Sequence, residues 1–190
     1  MIVKKLLALA LLVVSAAPLG AAPLGNGNVE RLSYNWHLTG GLAWIARIAF
    51  PSSGRGTLET TQNGNVSSRL LISTDDSKGY YLYESSMLAD GLRTLTSRSA
   101  YSFHDSSRDE RVAFDVANRA THVQRTDGDG TEHKGYELKS AAPQDVLTSI
   151  YYLRQHAAGI NAPKRAQVFS GAKGYDVTFY PQAAMMLGSR

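Results

Sequence analysis

The feature that most constrains this chain is the side-chain alternation that begins at RLSYNWHL, residues 31–38. Leu32, Tyr34, Trp36 and Leu38 share one face, and Arg31, Ser33, Asn35 and His37 share the other. A period of two, with aromatic and aliphatic residues on one side, predicts a half-buried strand. After the turn residues TGG, LAWIARIAF (42–50) resumes it with Leu42, Trp44, Ala46, Ile48 and Phe50 on one face, so 31–50 reads as a hairpin. The opposite face of that second strand, with Ala43, Ile45 and Ala49 around Arg47, is apolar enough to expect a cover.

The pattern then repeats to the end of the chain. PSSGRG (51–56) reads as a break and TLETTQ as the next strand. NGN at 63–65 predicts a tight turn, because Asn and Gly accept the positive φ such turns need. VSSRLLIST, YYLYESSML and LRTLTSRSAYSFHD follow, separated by DDSKG and ADG; the last of these alternates Leu95 with Thr and Arg, then Tyr101 with Phe103. RDERVAFDV pairs with ATHVQRT across ANR, DGDG (127–130) turns into TEHKGYELK, and AQVFS and YDVTFY flank GAKG as a final hairpin. About nine or ten consecutive strands with short turns predict a mainly β fold: an antiparallel meander curled into an open or half β-barrel.

One segment breaks the period. In PQDVLTSIYYLRQ (143–155), Val146, Ile150 and Leu153 form a helical stripe with Leu147 and Tyr151 beside it. Pro143 suits a first helical turn, Asp145 sits near the positive end of the dipole, and Gly159 and Pro163 stop the helix. A curled sheet has an apolar concave face to fill, and this amphipathic helix is expected to pack there.

The N-terminus predicts export. MIVKK is basic, LLALALLVV apolar and SAAPLGAAPLG rich in small residues, which is the order of a secretory signal peptide over 1–21, cleaved after Ala16 or Ala21. Residues 22–30 read as a flexible lead-in and 31–190 as one β-rich domain. The apolar run is far shorter than the roughly 20 residues that span a bilayer. Without cysteine there is no lipid attachment at a mature N-terminus and no disulfide. Loss of Lys4 and Lys5 with the leader lowers the formal net charge from +4 to +2, with basic and acidic residues interspersed, so no nucleic-acid footprint is expected. A soluble periplasmic location follows as the expectation.

LSYNWHLTGGLAWIARIAF, DERVAFDVANRATHVQR and PQDVLTSIYYLRQ together resemble an exported bacterial family, domain of unknown function 3108 (DUF3108). The most specific of the three is the Gln-Asp-x-Leu-Ser/Thr helix leading into Tyr-Tyr-Leu-Arg, and the likeness runs from about Leu32 to Tyr180. It implies an exported, open barrel-like β domain without an established activity or cofactor. Relatives continue past the equivalent of YDVTFY with further strands, so either this sequence is incomplete or its sheet ends early.

Local chemistry offers little. His37, His104, His122, His133 and His156 form no metal motif; His122 and His133 could face each other across the 126–131 turn, without an evident third ligand. DGDGTE lacks the later positions of a calcium loop and reads as a hairpin turn. Asp75-Asp76 and Asp109-Glu110 point to opposite sides of a strand and read as solvated breaks. No serine lies in a G-x-S-x-G elbow. No catalytic residue, metal or cofactor is therefore assigned. The aromatic residues are the candidates, as core or as walls of a ligand site: Tyr34, Trp36, Trp44, Tyr101 and Phe103 on strands, and Ile150, Tyr151 and Tyr152 on the helix. The expectation is a non-enzymatic envelope protein that binds a lipid or other apolar ligand, or a protein partner, in or beside the half-barrel. Its rivals are a purely structural or interaction domain without a cavity, and an envelope hydrolase built on His37, His104 or His122.

Overall fold

The computed structural model describes residues 29–37, 53–75, 79–90, 92–103, 105–156, 162–171 and 173–180, all within one compact unit, Pro23–Pro181. Eight strands follow one another in space as in sequence: β1 (Val29–His37), β2 (Ser53–Asn63), β3 (Asn65–Thr74), β4 (Tyr80–Leu88), β5 (Thr94–Phe103), β6 (Ser106–Asp115), β7 (Ala120–Asp127) and β8 (Gly130–Glu137). Every pairing is antiparallel, and the sheet is curled but not closed. The turns fall where Gly, Asn and Asp predict them. Gly64 closes the β2–β3 hairpin at φ +73°, and the Asp115 carboxylate accepts from the backbone and side chain of Asn118 in the β6–β7 turn.

A second sheet covers part of the first. Strand β9 (Gln144–Asp145) leads into helix α1 (Val146–His156), which leads to β10 (Lys164–Ser170) and its hairpin partner β11 (Lys173–Phe179). The pairing of β9 with β10 is parallel, with Val168 opposite Gln144 and Phe169 opposite Asp145. This departs from the all-antiparallel expectation. The helix makes the departure geometrically possible, because parallel neighbours need a crossover connection.

Two sequence expectations are corrected here. PSSGRG is not a break beyond residue 52, since Ser53–Gly56 belong to β2 and pair with β1. Gly54 leaves no room for a side chain: a Cβ there would fall 2.0 Å from the Ser73 carbonyl and 2.7 Å from the Trp36 ring, whereas one on Gly56 would make an ordinary 3.5 Å contact with Tyr34. The lead-in ends earlier than residue 30, for Val29 and Glu30 already pair with Thr61 and Thr60. The proposed strand 42–50, the leader and the chain end after residue 180 lie outside the described residues.

Two apolar clusters fill the concave side. Phe114 and Phe169 meet edge to face at 5.1 Å, with Val112, Val123 and Leu138 around them, and so hold the small sheet on β6 and β7. Val66, Met87, Leu92 and Tyr151 join the helix to β3 and β4.

Candidate functional site

The registers place side chains of the concave face in transverse rows, and the rows divide it into two halves. One half lies under α1 and is lined with hydroxyls. Thr60, Ser68 and Ser85 follow one another across β2, β3 and β4. A register shift at Ser86/Met87 turns Thr94 rather than Leu95 toward Met87, so Thr94 is wholly buried. Against these the helix sets its own polar groups. The hydroxyls of Thr94 and Thr148 are 2.8 Å apart, and those of Ser85 and Thr148 3.2 Å apart. The Asp145 N–H donates to Thr94 Oγ1 at 2.9 Å, and the Thr94 N–H to the Pro143 carbonyl at 2.9 Å.

Asp145 is the N-cap of α1, its Oδ1 accepting from the Thr148 N–H at 2.7 Å. Pro143 thus lies ahead of the cap and not in the first turn. Burial pushes the Asp145 carboxyl above its ordinary pKa, against the pull of hydrogen bonds from Thr148 and Ser85. Farther along, the Tyr151 hydroxyl meets Thr60 and donates to Glu30 Oε2 at 3.0 Å, and Thr60 and Ser68 share a bond of 3.0 Å. Burial, with the Glu30 carboxylate adding to it, pushes the Tyr151 phenol up to about 12. The buried residues of the helix are therefore Leu147, Thr148, Ser149 and Tyr151, while Val146, Ile150 and Leu153 are only partly buried on its flank. The stripe expected to face inward sits one position off, because the helix docks through hydroxyls as well as through carbon.

The other half is aromatic. Tyr34, Gly56, Ile72, Tyr81 and Tyr101 form one row, with Trp36, Gly54 and Phe103 beyond it. Tyr81 packs on Tyr101 at 5.8 Å and on Phe103 at 4.6 Å between ring centroids. The Trp36 Nε1–H donates to the Ser73 carbonyl at 3.3 Å and fixes that ring over Gly54. Each of these aromatic side chains is half-buried, so each keeps part of its surface in solvent. Burial pushes the phenols of Tyr81 and Tyr83 up.

Where α1 meets the β10–β11 turn, the sheet leaves a cavity of about 10 Å³ lined by Tyr83, Ser97, Ser99, Asp145, Leu147 and Gly171. That is room for about one water molecule.

Of the eight candidate residues, Tyr34, Trp36, Tyr101 and Phe103 come together in the aromatic half. Tyr151 is buried in the hydroxyl half, Ile150 flanks it, and Tyr152 is half-buried with the Lys164 ammonium 4.6 Å from its ring centroid. Trp44 lies outside the described residues. Sequence reasoning overlooked Ile72, Tyr81 and the hydroxyl row. The available signal was Thr60, Ser68 and Ser85, each standing in phase with the apolar residues of its strand.

The polar candidates resolve differently. Asp109 and Glu110 do point to opposite sides, but they are not in a solvated break. Asp109 accepts from Arg98 on the convex face, and Glu110, 5% exposed, accepts from Arg125 Nε at 2.7 Å on the concave face. His122 stands opposite Gly135, and His133 opposite Gln124, so the two histidines do not face each other. Among the described residues no three His, Asp or Glu side chains gather as a metal site, and no helix is long and apolar enough to cross a membrane. Comparison with known protein families, with curated proteins and with solved structures finds no match to this chain.

Proposed function

We propose that this chain is an exported, non-enzymatic protein of a bacterial envelope, of the kind it resembles in DUF3108, and that it holds an apolar chain such as a lipid tail on the aromatic half of its concave face. The observation that carries the reading is the half-buried row of Tyr34, Ile72, Tyr81 and Tyr101, flanked by Trp36 and Phe103. Aromatic rings on a curved sheet give an apolar ligand large contact area, and their partial exposure leaves surface for it to cover. The leader-like N-terminus supports a periplasmic location.

Trp36 reports on the site directly. With Trp44 replaced by Phe, Trp36 is the single indole of the chain. A dibrominated fatty acid is expected to quench its emission saturably, and Tyr101→Ser and Tyr81→Ser are each expected to weaken that binding about tenfold. Absence of quenching, together with no lipid in native mass spectra of protein taken from the envelope, would remove the ligand.

A second reading has its own support. The hydroxyl half is filled by α1 and the space beside it admits only about one water. If the aromatic half behaves likewise, the domain is an interaction module that works through its edges.

A further inference from the structure

The open edge of β8 is a different surface from the aromatic half, and its chemistry is specific. All eight residues of Gly130–Glu137 are exposed, on both faces of the strand. It is the last strand of the sheet among the described residues; it carries no proline, and its register with β7 is unbroken. Natural edges are usually blunted by charge, proline, bulges or covering loops. Among the described residues this one carries only charge, and the charges are arranged so that they match in one register.

Which backbone groups face outward follows from the ladder. The Leu138 N–H donates to the Arg119 carbonyl at 2.8 Å, and hydrogen-bonded pairs recur every second residue in an antiparallel ladder. The even-numbered residues of β8 therefore bond to β7, and Thr131, His133 and Gly135 offer their N–H and C=O groups at the open edge. An antiparallel partner must match hydrogen-bonded residues with hydrogen-bonded residues, which restricts a two-fold pairing of β8 with itself to a few registers. Centring on Glu132 opposes two carboxylates, and centring on Lys134 opposes two ammonium groups. Centring on His133 sets Glu132 against Lys134 of the second copy, twice.

We propose that this chain forms a two-fold dimer through β8, in that register, with the curled sheets continuous across the axis. The Glu132–Lys134 pairs fall in non-hydrogen-bonded positions, where side chains on facing strands are closest. They extend a row of alternating charge already present on the concave face, in which Glu110 bonds Arg125 and Arg125 stands opposite Glu132. Within one chain Lys134 meets Glu132 at 2.6 Å, so the two groups are poised to exchange that contact for the one across the axis. The register also lays Tyr136, 43% exposed, against Gly130 of the second copy, as Tyr34 lies over Gly56 within the sheet.

Sedimentation of the purified chain tests this. A dimer of the 20.6 kDa chain is expected. Lys134→Glu and Glu132→Lys alone should each weaken it about tenfold or more, since two attractive pairs become repulsive. Mixing the two variants should restore association as a heterodimer, and the double exchange E132K/K134E should restore the homodimer. Gly135→Pro removes one outward N–H without touching the β7 ladder, and should give a folded monomer by circular dichroism. A wild-type chain that stays monomeric at every concentration, a dimer indifferent to both charge reversals, or capture of an unrelated strand by a chain that does not self-associate would each overturn the proposal.

Discussion

The two halves of the concave face belong to one sheet, and they are built on opposite rules. In the hydroxyl half, polar atoms of the helix meet polar atoms of the sheet one by one: Thr148 with Thr94 and Ser85, and Tyr151 with Thr60 and Glu30. In the aromatic half the contacts described are mainly ring on ring and ring on glycine, with the Trp36 N–H on the Ser73 carbonyl as a fixed polar contact. A buried hydroxyl left unpaired costs more than a pair of them contributes, so a hydroxyl surface specifies one fitting cover. An aromatic surface accepts any apolar cover of suitable shape. The difference teaches that the helix is a fixed part of the core, and that adaptability is left to the other half.

The largest test of that contrast is a charge placed in each half. Leu147→Asp would bury a carboxylate at a position 2% exposed, at a cost of about 4 kcal/mol or more, and the chain should not fold. Tyr101→Asp, at a half-buried site whose row is open to solvent, should leave a cooperative unfolding transition measurable in urea. Equal damage at both positions would erase the distinction between the halves. Ile150→Asp should fall between them, since that side chain sits on the flank of the helix.

The hydroxyl seam can be loosened without changing its shape. Thr148→Val keeps the volume and removes the one group shared by Thr94 and Ser85. Two buried hydroxyls then lose a partner, and a loss of about 1–3 kcal/mol is expected from chemical denaturation. A neutral result for Thr148→Val would mean that packing alone seats the helix.

Much of the fold was legible in advance, and the reasons for the misses are physical. Period-two alternation and the turns at NGN, ANR, DGDG and GAKG mark strands because they report local geometry. They located β3 through β8 and the β10–β11 hairpin within a few residues. The β9–β10 parallel pair was hidden, since a two-residue strand carries no period at all. That Thr94 and not Leu95 turns toward Met87 was hidden too, because a bulge adds one residue to the count. The helix was found, but its buried face was misread. Hydropathy ranks Ile150 above Thr148, whereas the sheet beneath α1 presents hydroxyls and so selects Thr148. The aromatic candidates Tyr34, Trp36, Tyr101 and Phe103 were found because they lie in phase along their strands; that Tyr81 joins them depends on register, which one strand cannot state.

The finest probe of the closed half is its response to pH. Asp145 caps the helix from a buried position, and burial holds its pKa above the value it has in the unfolded chain. A raised folded pKa means that the native state binds the proton more tightly. The associated stability is present below the unfolded pKa, about 4 for an aspartate, and is lost as pH rises through the folded value. Asp109, held low by its hydrogen bonds to Arg98, acts in the opposite sense, so the pH profile of the wild type alone mixes the two. Asp145→Asn separates them. Asparagine retains the acceptor that caps the Thr148 N–H, and it does not titrate. Relative to the wild type, the variant should gain stability as pH rises from about 4 through the folded pKa of Asp145, and hold that gain above it. A difference that stays constant over that range would mean that Asp145 ionises as it does in water. Solvent would then reach the start of the helix, and the half of the face described as closed would be as open as the other.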